Sequence, residues 1–491
     1  MRHGEAYVAS LRDGRAVFLD GAPVDDVTVH PAFRGAIARI AAVYDRARDA
    51  ARNGDLTSAD PLTGERVSNM WLIPKSADDL RARRRLHRFW AEGSYGLMGR
   101  TPDHVASFIT GFAASRDVFD RAGQRYGDHV VRFYERARRE DLYLTYVIVP
   151  PQVDRSKPAH QQPVRDVYPT VVKERDDGIV LRGAQMIGTS AVIADGILLT
   201  YIVPLEPGDE DHAISVFLPC NAPGLRLYPR RPYATMATSV YDYPLSSRFD
   251  ETDSLVVLRD VFVPWEHVFV YRDVRLVNAQ FFETGSHLLG NFQALVRFVL
   301  KLQFAAGLAK RLADLHNIAS LPPVQAHLGG EIAAYVTAMA AIVDGAESAP
   351  WMRGALARPN PQFVYAGMCL QRRWVVDLMR ALREVAGGAF LSVPSSDRSF
   401  TSPETGADTR QYYQSAGVAA EERIKLVKLM WDFVGTEFAG RQLQYEMFYS
   451  AARHVVDARA FRFFDWAESQ RLVEACLAEY DLPGHDGGVK G

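Results

Sequence analysis

The chain has 491 residues, 48% hydrophobic and 24% charged, with a formal net charge of -2. That length exceeds what one core holds, so two or three domains are expected, and the near-neutral balance gives no electrostatic footing for nucleic acid or an anionic membrane. Cys220, Cys369 and Cys476 are odd in number and far apart, which leaves no disulfide framework and no CxxC metal or redox motif; they read as buried small residues in a reducing cytoplasm.

Residues 1–145 read as a mainly helical domain after a hairpin-like opening, AVFLDGAPVDDVTVH, whose Asp20-Gly21 pair is a turn signal. Helices are predicted over 31–52, 76–94, 101–115 and 116–139. The third begins Thr101-Pro102-Asp103, an N-cap, a proline at the first helical position and an acid in the first turn. The basic runs YDRARDAARNGD and RARRRLHR have acids interspersed nearby and read as solvated helix faces. The N-terminus lacks an uninterrupted apolar run, so no signal peptide is expected.

Residues 146–274 change to short strands, YVIVPP, DVYPTVVKER, GIVLRGAQMI, GILLTYIVPL, AISVFLP and DSLVVLRDVFVPWEHVFVY, separated by turn signals such as Asp176-Asp177-Gly178. This spacing predicts a β-barrel or sandwich, and Pro264 confines its strand to an edge, a bulge or an end. No strand leads into a GxGxxG helix start, which excludes a dinucleotide-binding Rossmann unit.

Residues 275–491 return to the helical period. Phe292, Leu295, Val296, Val299, Leu302, Ala306 and Leu308 make an apolar face wide enough for a helix inside a bundle, and Ile424, Val427, Leu429, Met430, Phe433, Val434 and Phe438 mark a second one. An irregular polar insertion runs from Gly387-Gly388 through VPSSDRSFTSPETG, and the tail is one further short helix before a Gly-rich, disordered end. Apolar stretches are interrupted by Gln185 and Asp195, or by Arg297, Lys301 and Lys310, so no plain membrane span is expected. The fold class read from this order is α+β: a helical N-terminal domain, a middle β-barrel and a C-terminal four-helix bundle.

Zinc helices, nucleophile elbows, phosphate loops and cysteine clusters are all missing, so no metal site is expected and difficult chemistry would need a borrowed cofactor. Four blocks carry a resemblance: GRTPDHVASF (99–108), PPQVDRSKP (150–158), PLSSRFDETDSLVVLRDVFVPWEHVFVY (244–271) and RIKLVKLMWDFVGTEFAGRQLQYEMFY (423–449). Together they resemble the flavin-dependent oxygenase components of two-component aromatic hydroxylases, the 4-hydroxyphenylacetate 3-monooxygenase family, over nearly the whole chain. The resemblance implies an acyl-CoA dehydrogenase-like fold, a cytoplasmic homotetramer, and reduced FAD supplied by a separate NAD(P)H-dependent flavin reductase. With O2 as co-substrate, such an enzyme hydroxylates a phenol ortho to its hydroxyl.

Carried onto this chain, the resemblance makes Arg100 a catalytic and substrate-binding arginine, suited to a phenolate or carboxylate. Its other reading is an ion pair with Asp103. His104 stands where relatives usually have Tyr, and Tyr146 where they have His; the pair either exchanges catalytic roles or retunes the pocket for another substrate. Gln293, counting back from Lys301, replaces a common His. Tyr146, Val147, Ile148, Gln152, Val153, Asp154, Arg155, Thr189 and Ser190 match flavin-binding segments, and Thr200 and Tyr201 fall near a substrate loop. Ala451-Ala452 replaces a Gly followed by Asp or Asn. These changes favour a larger or modified aromatic, such as a tyrosine-like unit of a biosynthetic pathway. A non-phenolic substrate and a non-catalytic flavin-binding homologue stay open, whereas 4-hydroxybutyryl-CoA dehydratase is disfavoured because Gly99 and Asp103 stand where cluster cysteines are required.

Overall fold

The computed structural model describes residues 1–51, 54–59, 64–449 and 451–480. The expected disordered C-terminal end lies outside the described residues. The opening hairpin pairs Ala16–Leu19 with Ala22–Pro23 through Asp20 and Gly21, both at positive φ, as a tight two-residue turn requires. The following DDVTVH stretch forms turns instead of strand. There the Asp26 carboxylate accepts from the Thr28 amide at 2.7 Å and its hydroxyl at 2.6 Å, an Asx turn that competes with pairing. A helix at Gly4–Ser10, which no apolar period announces, precedes the hairpin.

Of the predicted helices, three form as Arg34–Ala51, Ala77–Glu92 and Pro102–Ala113, while 116–139 divides into Arg116–Asp120 and Gln124–Glu140. Thr101 is extended as an N-cap should be, but its hydroxyl makes no capping bond; it donates to Asp103 in the first turn at 2.6 Å.

Among the described residues, two small hairpins pair Thr57–Ala59 with Arg66–Ser68 and Trp351–Arg353 with Leu356–Arg358, and the other strands form two sheets. The larger runs Ala22–Pro23, Ala16–Leu19, Leu225–Pro229, Asp253–Pro264, Gly178–Thr189 and Thr170–Arg175; the smaller runs Val268–Tyr271, Ile214–Pro219, Gly196–Leu199 and Leu144–Val147. A bridge between Val149 and Met186 joins them. Along Asp253–Pro264 alternate residues Ser254, Val256 and Leu258 point inward, and an irregularity at Arg259-Asp260 resets the alternation to Val261 and Val263. Pro264 closes the strand opposite Gly178. The same register sets Asp253 opposite Thr189.

The bundle comprises Ser286–Leu315, Pro322–Ser348, Pro361–Ala386 and a broken fourth member, Ala420–Val434 followed by Glu437–Phe448. The sequence period suggests one helix across that break. Thr436, whose side chain caps the Ala439 amide, starts a new one after Gly435, where a Cβ would collide with the Trp431 ring. The tail is two helices, Arg453–Phe463 and Trp466–Leu477, instead of one. Ser286–Leu315 and Pro322–Ser348 are both long and apolar enough to cross a membrane by length and composition, contrary to expectation. The first is mostly buried in the bundle, where its Arg297 and Lys301 are paired; little of the second is buried. The cysteines also differ from expectation: all three are free, but only Cys220 is buried and Cys476 is exposed.

Candidate active site

The site is built where three parts of the chain converge on the backbone before Pro102–Ala113. Glu251, just ahead of the strand Asp253–Pro264, accepts from the Gly99 amide at 2.7 Å and the Arg100 amide at 2.9 Å. Arg441, on the helix Glu437–Phe448, donates to Glu251 at 3.0 Å and grips Asp253 through two nitrogens at 2.7 and 3.0 Å. Arg230 bonds Asp253 at 3.0 Å and Asp250 at 2.6 Å. Burial alone would raise the Asp253 pKa, but Arg441 and Arg230 hold this carboxylate well below the usual range, so it is ionised. The Thr189 hydroxyl donates to it at 2.6 Å, which commits its proton and leaves its oxygen only able to accept.

Thus fixed by its backbone, Arg100 sends its guanidinium between three tyrosines. It donates to Tyr445 Oη at 2.5 Å and Tyr146 Oη at 2.9 Å, and lies over the rings of Tyr146, Tyr445 and Tyr449 at 4.9, 5.2 and 5.8 Å. Among the described residues no carboxylate forms an ion pair with it; Asp103 bonds Thr101 and His87 instead. Although burial opposes its charge, the tyrosines and Glu251 hold the pKa up. The result is a charged guanidinium on a residue only 6% exposed, with no carboxylate paired to it among the described residues. Tyr445 reaches it only because residue 99 is Gly, since a Cβ there would sit 2.2 Å from the phenolic oxygen. Burial pushes the Tyr445 hydroxyl up to about 12, so it stays protonated.

Arg100, Tyr146, Ile148, Thr189, Arg441, Tyr445 and Phe448 line a cleft of about 790 Å³, with Met186 and Ile187 at its rim. Its walls are mainly apolar and its polar groups few and convergent, the pattern of a cofactor or substrate site. Beneath it, Glu446 bonds Arg297 through both oxygens at 2.8 Å and Lys301 at 2.9 Å. Despite burial, those two cations push Glu446 down to about 2, and burial pushes Lys301 down to about 8.

The other predicted residues are placed unevenly. Tyr146, Ile148 and Thr189 line the cleft, whereas Val147, between the first two, is fully buried and does not. Ser190 is buried in a left-handed conformation behind Thr189. Gln152, Val153 and Arg155 are exposed on the following loop, and Asp154 there caps Ser156; none of the four lines the cleft. Thr200 is buried and bonded to Ile214 and Gln280, and Tyr201 to the Pro169 carbonyl, so neither reaches the cleft. His104 and Gln293 are bonded to each other at 3.0 Å; the His104 ring lies against that of Tyr146, with centroids 5.5 Å apart. Burial, and then the charge of Arg100, hold His104 well below the usual histidine range, so it is neutral. Ala451 has φ +115, a region where glycine is favoured. Sequence reasoning missed Glu251, Asp253, Arg441, Tyr445 and Tyr449. The available signal was the acid-rich RFDETD beside strongly apolar strands, together with a basic and aromatic helix face, Arg441, Tyr445 and Tyr449, at helical spacing.

Comparison with known proteins matches residues 3–270 to the N-terminal and 277–478 to the C-terminal model of 4-hydroxyphenylacetate 3-hydroxylase. A Streptomyces globisporus monooxygenase of (3S)-3-amino-3-(3-chloro-4-hydroxyphenyl)propanoyl-peptidyl-carrier protein is 34% identical, covering 98% of this chain and 92% of its own. The oxygenase component of 4-hydroxyphenylacetate 3-monooxygenase, solved with FAD and 4-hydroxyphenylacetate, superposes with a TM-score of 0.91 at 30% identity, covering 98% of this chain and 99% of that one. A Geobacillus kaustophilus acyl-CoA dehydrogenase, 11% identical with a TM-score of 0.53 over 94% of this chain and 97% of its own, shares the fold alone. With both halves matched in order and the cleft built at their junction, the chain belongs to the 4-hydroxyphenylacetate 3-hydroxylase family.

Proposed function

We propose that the chain is the oxygenase component of a two-component flavin-dependent monooxygenase. It takes reduced FAD from a separate NAD(P)H-dependent reductase and, with O2, hydroxylates a phenol ortho to its hydroxyl, releasing FAD and water. The observation that carries this reading is Arg100: a buried cation, paired with no carboxylate among the described residues and aimed by tyrosines into an apolar cleft, is suited to the oxygen of a phenolate. The cleft fits a flavin by size, by its apolar walls and by the Thr189 oxygen, Tyr146 and Ile148 that line it. When bound, reduced FAD supplies the activation of O2. The protein's own groups orient the phenol, polarise its hydroxyl and exclude water.

The exchange at positions 104 and 146, and Gln293 beside them, support a substrate other than plain 4-hydroxyphenylacetate. A tyrosine-like aromatic, free or carrier-bound, agrees with the Streptomyces relative. Exposed Phe461, Phe464, Leu472 and Leu477 on the tail helices, and the apolar helix Pro322–Ser348, little of which is buried, support a homotetramer. Three free cysteines suit the cytoplasm. The test supplies chemically reduced FAD, O2 and a panel of para-substituted phenols: a catechol product supports the reading, whereas hydrogen peroxide alone with every phenol overturns it. Light scattering of the purified protein tests the tetramer.

A further inference from the structure

A chain of buried hydrogen bonds runs from His104 away from the cleft, and its direction is fixed at the far end by a carboxylate. The Thr101 hydroxyl donates to Asp103 Oδ1 at 2.6 Å, which commits its single proton. On its other oxygen, Asp103 meets His87 Nδ1 at 2.7 Å, and burial keeps that histidine neutral, its Nδ1–H donating. With its proton committed, Thr101 can only accept from Gln293, whose Nε2 is 3.3 Å away. The amide nitrogen is thereby turned to Thr101 and Gln293 Oε1 to His104 Nδ1, at 3.0 Å. An amide oxygen requires a donor, so in the neutral ring Nδ1 carries the hydrogen and Nε2 carries the lone pair. That lone pair is buried and makes no hydrogen bond.

We propose that Gln293 is a positioning residue that locks His104 in the Nδ1–H tautomer, so that Nε2 accepts a hydrogen bond from the hydroxyl of the phenolic substrate once the Tyr146 side chain turns aside. The function of the acceptor rests on the hydroxylase reading above; the tautomer lock stands on the hydrogen-bond chain alone. Reversing the amide would set its oxygen against the Thr101 lone pairs and its NH2 against Nδ1, and would move the hydrogen to Nε2, where it would repel a substrate donor. Arg100 and Arg297 are the cations whose charge acts on this ring, and both disfavour a second proton on it. The two side chains thus play opposite parts at the substrate hydroxyl, Arg100 donating to its oxygen and His104 accepting its hydrogen.

The test is nitrogen-15 NMR of the full-length protein labelled at histidine, with the His104 signals assigned by their loss in H104N. The native protein is expected to show Nδ1 protonated and Nε2 bare. Q293M, close in volume but without the amide, and T101V, which removes the link from the other end, should each give mixed tautomers, with the fold checked by circular dichroism. A protonated Nε2 in the native protein, or an unchanged tautomer in both variants, overturns the lock. With a phenol that the native enzyme hydroxylates, Q293M should lose at least about tenfold in kcat with little change in KM and release more hydrogen peroxide. Unchanged kcat despite mixed tautomers overturns the acceptor role. Absence of hydroxylation by the native enzyme, with the lock intact, counts against the functional reading instead.

Discussion

Arg100 is held by two separate sets of bonds, its amide by Glu251 and its guanidinium by Tyr146 and Tyr445. R100K should therefore leave the backbone turn in place while losing the planar, two-pronged reach. Its kcat/KM with an accepted phenol is expected to fall about 100-fold, with little change in the thermal midpoint. Ile187, exposed at the rim of the cleft, has φ +58, a costly conformation for a β-branched side chain. I187G should raise the unfolding free energy by about 1 kcal/mol in urea titration and at the same time weaken phenol binding, because it removes part of an apolar wall.

At the scale of elements, the helices Ser286–Leu315 and Glu437–Phe448 meet through a buried charge network instead of an apolar seam. Glu446 faces Arg297 and Lys301, and Gln371 also donates to it at 2.5 Å. E446Q would leave two buried cations without a counter-charge, and is expected to cost about 3–5 kcal/mol of stability, measured by urea unfolding. Helices with local signals, such as Pro102–Ala113 behind its Thr-Pro pair, were legible in the sequence, and so was the alternating strand at 253–264. The segment 246–252 was not: it reads as a polar turn, yet Ser246, Asp250, Glu251 and Thr252 are buried. Their partners, the Gly99 and Arg100 amides, Arg230, Asp432 and Arg441, are distant in sequence, so no local period encodes them. The family resemblance led to Arg100, Tyr146 and Thr189, while Arg441 and Tyr445, although inside the block 423–449, were given no role because their helix reads as ordinary bundle core.

Across the whole molecule, burial depresses the pKa of His87, His104, His129, His267, His287 and His316. The sign follows from linkage. Above the unfolded value of about 6.5 these groups are neutral in both states; below it the unfolded chain takes up protons that the folded chain refuses, so stability falls. The depressed carboxylates Glu446 and Asp253 act in the same direction at lower pH: their stabilisation is present above the unfolded value of about 4 and is lost as pH falls toward the folded one. The urea midpoint should therefore drop between about pH 7 and 5.5 and drop again below about pH 4.5. H104Y, which removes one of these six histidines, should make the first drop shallower.

Glu251 grips main-chain amides, not side chains, at Gly99 and Arg100. That choice separates heredity of shape from freedom of chemistry: residues 104, 146 and 293 can be exchanged without moving the backbone that carries them. A combinatorial library at those three positions should yield mostly soluble, folded proteins with altered phenol preference, whereas one at 251, 253 and 441 should yield mostly aggregates. Split-reporter solubility screening of both libraries would measure the contrast. The substrate range of this scaffold can accordingly drift by a few exchanged side chains at a time, while the carboxylate that anchors it stays in place.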